Sequence, residues 1–104
     1  MTSKAAPKKT VNTHSIAKII VTGIGGGGGN AVSRMREDFS RGIDFVAVNT
    51  DTQDLEYCNA RHKVHIGKTL TRGLGTGMNP ELGRQAAEEN KAEVLAALKG
   101  ADLV

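Results

Sequence analysis

Between Gly23 and Asn30 the chain reads Gly-Ile-Gly-Gly-Gly-Gly-Gly-Asn, and six of its thirteen glycines fall in those eight positions. On one side stands Ile16 to Thr22 (IAKIIVT), a nearly continuous β-branched run of the kind that forms a strand buried on both faces. On the other, Asn30 to Arg41 spaces Val32, Met35 and Phe39 as a helix would, with charges between them and Gly42 to end it. A flexible linker has no reason to sit between a core strand and an amphipathic helix. Glycine there lets the backbone turn sharply and bring its N–H groups close to a ligand. The helix start adds unpaired donors and a positive dipole end, a combination that suits phosphate.

The remaining pattern alternates in the same way. Ile43 to Val48 (IDFVAV) reads as a second buried strand, Gln53 to Tyr57 as a short helical turn, and Lys63 to Ile66 (KVHI) as a third strand. Gly67 to Asn79 reads as a glycine-rich loop. Asn79 and Pro80 then suit the cap and first position of a helix running to about Lys99, with Leu82, Ala86, Val94, Leu95 and Leu98 as its core stripe. Ala101 to Val104 looks like the beginning of a fourth strand. The expected fold is α/β: a doubly wound, Rossmann-like parallel sheet of order 3-2-1-4, truncated at the start of the fourth strand. The isolated 104 residues are accordingly expected to fold poorly and to show no turnover, with the apolar first strand incompletely paired.

Charge and cysteine content narrow the class. The net charge is +3, yet Lys4, Lys8, Lys9 and Lys18 are the only charges in the first eighteen residues. Taking those four from the fourteen Lys and Arg leaves ten against eleven Asp and Glu, so the folded part has no basic excess. With aromatic residues at only 3%, direct nucleic-acid recognition is not expected. Residues 1–15 read as a disordered basic tail, and residues 16–104 as the folded part. No apolar stretch approaches the ~20 residues of a membrane helix, and a single cysteine, Cys58, suits a reducing compartment.

Several motifs compete for the glycine run. Gly23, Gly25 and Gly28 fit a dinucleotide fingerprint, with Asp51 a few residues past the second strand as the ribose acceptor. That alternative would make the chain the binding half of an NAD(P)-dependent oxidoreductase. Gly67-Lys68-Thr69 looks like the end of a P-loop, but His62 stands where the first glycine is required, and a loop rather than a helix is expected to follow. Cys58, His62 and His65 have loosely metal-like spacing without a fourth ligand nearby, so no metal site is assigned. Asp51 could equally be a cap for backbone amides or a metal ligand or base. Three successive strand ends supply glycine, hydroxyl and amide groups to one sheet edge, which suits a polyphosphate.

GIGGGGGNAV at Gly23 to Val32, FVAVNTD at Phe45 to Asp51, and IGKTLTRGLGTGMNPELGRQAAEE at Ile66 to Glu89 together resemble the tubulin/FtsZ family of GTPases. The resemblance implies bound GTP or GDP, with Mg2+ accompanying it. It places Gly25, Gly26, Gly27, Gly28, Gly29 and Asn30 around the phosphates. Asn49, Thr50 and Asp51 would form a second nucleotide loop, and Gly75, Thr76 and Gly77 part of a third, near the γ-phosphate. It further implies self-association into filaments at the bacterial division site, in the cytoplasm, alongside other division proteins and without membrane insertion. The family's second glycine motif, its base-reading residues and its acidic catalytic loop correspond to no residue up to Val104, so no catalytic residue is assigned. A non-catalytic assembly module is the third reading. Gly27→Val is expected to abolish nucleotide binding, both by filling the ligand's space and by resisting a positive φ.

Overall fold

The computed structural model describes residues 17–39 and 41–104, so the expected basic tail lies outside the described residues. Three parallel strands form the sheet: β1 (Ile19–Ile24), β2 (Ile43–Asn49) and β3 (His62–His65), in the order β1-β2-β3. β1 aligns Ile19 with Ile43 and Ile24 with Val48, and β2 aligns Val46 with His62 and Asn49 with His65. On the free side of β1, Leu103 forms a parallel bridge to Ile19. The Ile20 amide donates to the Leu103 carbonyl (3.0 Å), and the Lys18 amide donates to the Asp102 carboxylate (2.7 Å). The last residues therefore lie where a fourth strand of a 3-2-1-4 sheet would begin, although only the bridge is formed.

Alternation along β2 divides the core into two layers. Phe45 and Ala47 face α1 (Gly25–Asp38) and α2 (Thr52–Tyr57), joining Val32, Leu55, Cys58 and Ala60. Val46 and Val48 face the opposite side, joining Ile20, Val64, Ile66 and Ala86 of α4 (Pro80–Glu89), with Val94, Ala97 and Leu98 of α5 (Lys91–Leu98) packed against them. Helices on both faces of a parallel sheet make the fold doubly wound, as the sequence pattern implies.

The boundaries differ from expectation in instructive ways. β1 begins at Ile19 and continues through Gly23 to Ile24, and β3 lies one residue earlier than Lys63 to Ile66. The glycine run is not a loop, because α1 starts at Gly25 and takes five consecutive glycines into its first turns. Glycine in a helix costs roughly 0.5–1 kcal/mol relative to alanine, so tertiary contact rather than propensity holds this segment. The contact is backbone on backbone: a Cβ on Gly23 would lie 2.2 Å from the Gly28 carbonyl oxygen. At its other end α1 stops at Asp38, leaving Phe39 half exposed instead of completing the stripe of Val32 and Met35.

Two further differences come from long-range caps. The Gly67–Asn79 segment contains a one-turn helix, α3 (Lys68–Thr71), so the expectation of a plain loop after Gly67 is wrong. Gly67 starts it with φ of +63°, and a Cβ there would meet the Ala86 Cβ at 2.5 Å. Asn90 Oδ1 accepts from the Gly67 amide (2.8 Å), while the Glu89 carboxylate accepts from both the amide and the hydroxyl of Thr69. The Thr69 hydroxyl, and then its amide, hold the Glu89 carboxyl below its ordinary value of 4.5. The expected single helix from Pro80 to Lys99 is also divided at Asn90, whose φ of −117° breaks the helical path. That break turns Leu95 outward, 58% exposed, so it leaves the stripe that Ala86, Val94 and Leu98 maintain.

Asn90→Ala should therefore cost about 1–2 kcal/mol, because it leaves the part-buried Gly67 amide without its acceptor. A denaturant titration checks this: the midpoint should fall with an unchanged slope, and an unaltered midpoint would show that water replaces the side chain at no cost.

Candidate functional site

The carboxyl ends of the three strands point the same way because all their pairings are parallel. In such sheets, ligands settle outside those ends, where the sequence of strands reverses direction. At the end of β1, Gly25 turns the chain with φ of +78°, a conformation that side chains disfavour. Ile24 precedes α1 and offers no side-chain cap, and the first turn carries no acidic residue. The initial N–H groups of α1 are thus left to whatever approaches from solvent. Nothing stands within 4 Å of where a Cβ on Gly25 or Gly27 would be.

After β2, the chain folds into an Asx turn and then a cap. Asn49 Oδ1 accepts from the Asp51 amide (3.1 Å), and Asp51 Oδ1 accepts from the amides of Gln53 (2.9 Å) and Asp54 (3.2 Å). Asp51 therefore caps α2, the first of the two roles left open by its sequence. Thr50 is buried, and its carbonyl lies 3.0 Å from His65 Nε2. His65 is thus engaged with the loop after β2, and Cys58 packs in the core. The third segment is tied to the second, since both the amide and the hydroxyl of Thr52 donate to the Gly73 carbonyl (3.1 and 3.2 Å). A Cβ on Gly75 would lie 3.8 Å from Asp51 Oδ2.

Two adjoining cavities result. The larger, about 420 Å³, is where all three segments meet, with Gly25, Asn49, Thr50 and Thr76 on its walls. Its remaining lining is mostly apolar, with Ile66, Val94 and Leu98 among it. The Thr22 hydroxyl, buried and without a hydrogen-bond partner, belongs to the same wall. The smaller cavity, about 150 Å³, runs between Gly25, Gly26, Gly29 and Asn30 on one side and Asn49 and Asp54 on the other. Of the residues singled out by sequence, Gly27, Gly28, Asp51, Gly75 and Gly77 line neither cavity. Gly28 instead packs on Gly23, which gives it a structural task.

Sequence reasoning missed Asp54 and Tyr57, both on walls of the smaller cavity. Asp54 was detectable in principle. With Asp51 as the cap, a residue three positions on falls in the first turn of α2 and next to the glycine helix, where a Cβ on Gly26 would lie 3.1 Å from Asp54 Oδ2. Tyr57 is 86% exposed and gave no sequence signal. Among the described residues no group of three or more His, Cys, Asp or Glu is placed to hold a metal ion, and no helix is long and apolar enough to cross a membrane.

Solved structures with the same arrangement are also similar in sequence. The chain is 44% identical to an FtsZ point mutant from M. jannaschii, with a TM-score of 0.82 over 86% of this chain and 27% of that one. An empty FtsZ dimer from the same organism gives 43% identity and a TM-score of 0.83, covering 88% of this chain and 27% of that one. CetZ2 from Haloferax volcanii, solved as a GTPγS-bound protofilament, gives 34% identity and a TM-score of 0.70, covering 81% and 26%. The chain thus spans about a quarter of the length of each. The family model for the Tubulin/FtsZ GTPase domain matches residues 18–104, nearly all that the structure describes, and the chain belongs to the Tubulin/FtsZ family.

Proposed function

We propose that this chain supplies the phosphate-binding side of a GTP-binding and GTP-hydrolysing protein that polymerises at the bacterial division site, in the cytoplasm. The observation that carries the reading is the convergence of three strand-end segments on one cleft beside an uncapped, glycine-only helix start. In this reading the amides of Gly25, Gly26 and Gly27 meet the phosphates, with Gly28 holding that turn against β1. Gly29 and Asn30 line the adjoining cavity, which Asn49 closes from the other side. Thr50 and Asp51 keep the second segment in shape. Gly75, Thr76 and Gly77 approach the terminal phosphate. A Mg2+ ion accompanying the nucleotide would offset its charge. Phosphoryl transfer depends chiefly on positioning and charge stabilisation, and positioning is what these backbone segments supply. Self-association is supported by the relatives solved as a dimer and as a protofilament, and contact with other division proteins is part of the same proposal.

A dinucleotide cofactor is not favoured. The carboxylate that would hold its ribose belongs to Asp51, whose Oδ1 accepts from two amides of α2, and the matching family model is that of a GTPase domain. Competition among GTP, ATP and NAD for the intact gene product tests the reading. GTP should displace a bound fluorescent guanine nucleotide at far lower concentration than the other two. Specific turnover should rise with protein concentration if assembly completes the site. Preferential displacement by NAD would overturn the assignment, and GTP binding without turnover at any concentration would leave an assembly module.

A further inference from the structure

On the face of α1 turned toward α2, Gly29, Ser33 and Arg36 follow one another at helical spacing, and each contacts the short connection from α2 to β3. The Ser33 hydroxyl donates to the Gly29 carbonyl (3.0 Å) and accepts from the Asn59 amide (2.9 Å). The Cys58 thiol donates to the same Gly29 carbonyl (3.4 Å), with its sulfur 3.6 Å from the Ser33 oxygen. One turn further on, Arg36 Nη1 donates to Asn59 Oδ1 (2.9 Å). The Ser33 hydroxyl has the Gly29 carbonyl as its nearer acceptor and the Cys58 sulfur as its farther one, so the three residues and the connection form a polar latch.

The latch lies immediately behind the smaller cavity, whose walls include Gly29 and Cys58 themselves. A helix that begins with five glycines has little intrinsic stiffness. The Gly23–Gly28 contact seats its first turns on β1, while the bonds from Ser33 and Cys58 to the Gly29 carbonyl tie them on the side of α2. We infer that Ser33, seconded by Cys58, is a positioning residue: it fixes the glycine-rich start of α1 against the α2–β3 connection and so sets the width of the nucleotide cleft. The inference rests on the nucleotide-binding reading and adds a group that touches no ligand. Removing it lets the glycine turns drift, which weakens ground-state binding.

Ser33→Ala and Ser33→Thr in the intact gene product provide the test, read by GTP titration. Threonine keeps a hydroxyl that can reach the carbonyl four residues back, so it should retain near-parental affinity. Alanine should raise the Kd for GTP by about fivefold or more, the size of one lost hydrogen bond, a loss that threonine does not share. Cys58→Ala should act in the same direction, and Cys58→Ser should restore affinity, which keeps the test decisive if Ser33→Ala fails to fold by circular dichroism. A parental protein that binds GTP while both alanine variants bind it equally well would overturn the latch alone. A parental protein that binds no GTP would overturn the nucleotide reading, and the latch with it.

Discussion

Alanine at position 23 is expected to unfold this domain. The added Cβ would sit 2.2 Å from the carbonyl oxygen of Gly28, 2.6 Å from its carbon and 2.7 Å from Val32 Cγ2. Two of those three atoms are backbone, and Val32 is 1% exposed, so none of them can swing aside. Relief requires α1 to lift off β1, which would open the layer containing Phe45, Ala47 and Leu55. Ordinary overpacking costs about 1–3 kcal/mol, and a clash with backbone belongs at or above the top of that range. A domain of this size has only a modest total stability, so most of it would be lost. Thermal melts should show a fall of more than about 10 °C or no cooperative transition at all. A melt within a few degrees of the parent would mean that the strand and helix stand further apart than the structure shows.

Substitution four positions later should have the opposite character. Gly27 lies inside α1 with nothing within 4 Å of a would-be Cβ, and its φ is not positive. The strain expected for Gly27→Val from sequence is therefore absent, and only the occupation of ligand space remains. Valine is no worse a helix former than glycine, so the melting temperature should hold or rise slightly. GTP affinity should drop by about a hundredfold or more, since branched carbon would stand where the phosphates approach the amides. Titration beside a thermal melt checks both halves. An unchanged affinity would remove the glycine helix start from the binding surface.

The fold was legible because its strands are nearly pure apolar runs and its helices carry local signals. Asn79, for example, caps α4 by accepting from the Glu81 and Leu82 amides, as its place before Pro80 implies. What stayed hidden depends on contacts distant in sequence. A glycine run reads as a loop unless one knows that Gly23 and Gly28 touch, and a chain reads as one helix through Asn90 unless one knows that its side chain serves Gly67. The site divides the same way. Residue types and their order located the three strand-end segments, but not which glycines face solvent and which face the sheet. The Ser33 latch depends on α2 folding back over α1, a tertiary fact with no local signature, whereas Asp54 could have been located from the cap at Asp51.

The bridge between Ile19 and Leu103 also imposes a timetable. The pairing spans 84 residues, the separation of the Lys18–Asp102 contact beside it. Ribosomes add roughly 5–20 residues per second, so β1 emerges about 4–17 s before its outer neighbour exists. During that interval Ile20 and Val21 can pair with β2 on one side only, and the other edge stands open to any extended chain. Among the described residues every strand pairing is parallel and must await its crossover, so no hairpin of theirs can form early to shield that edge. The nascent chain's exposure to aggregation is therefore set by how soon Leu103 follows β1, and slowing elongation between β3 and Leu103 should lower its soluble yield.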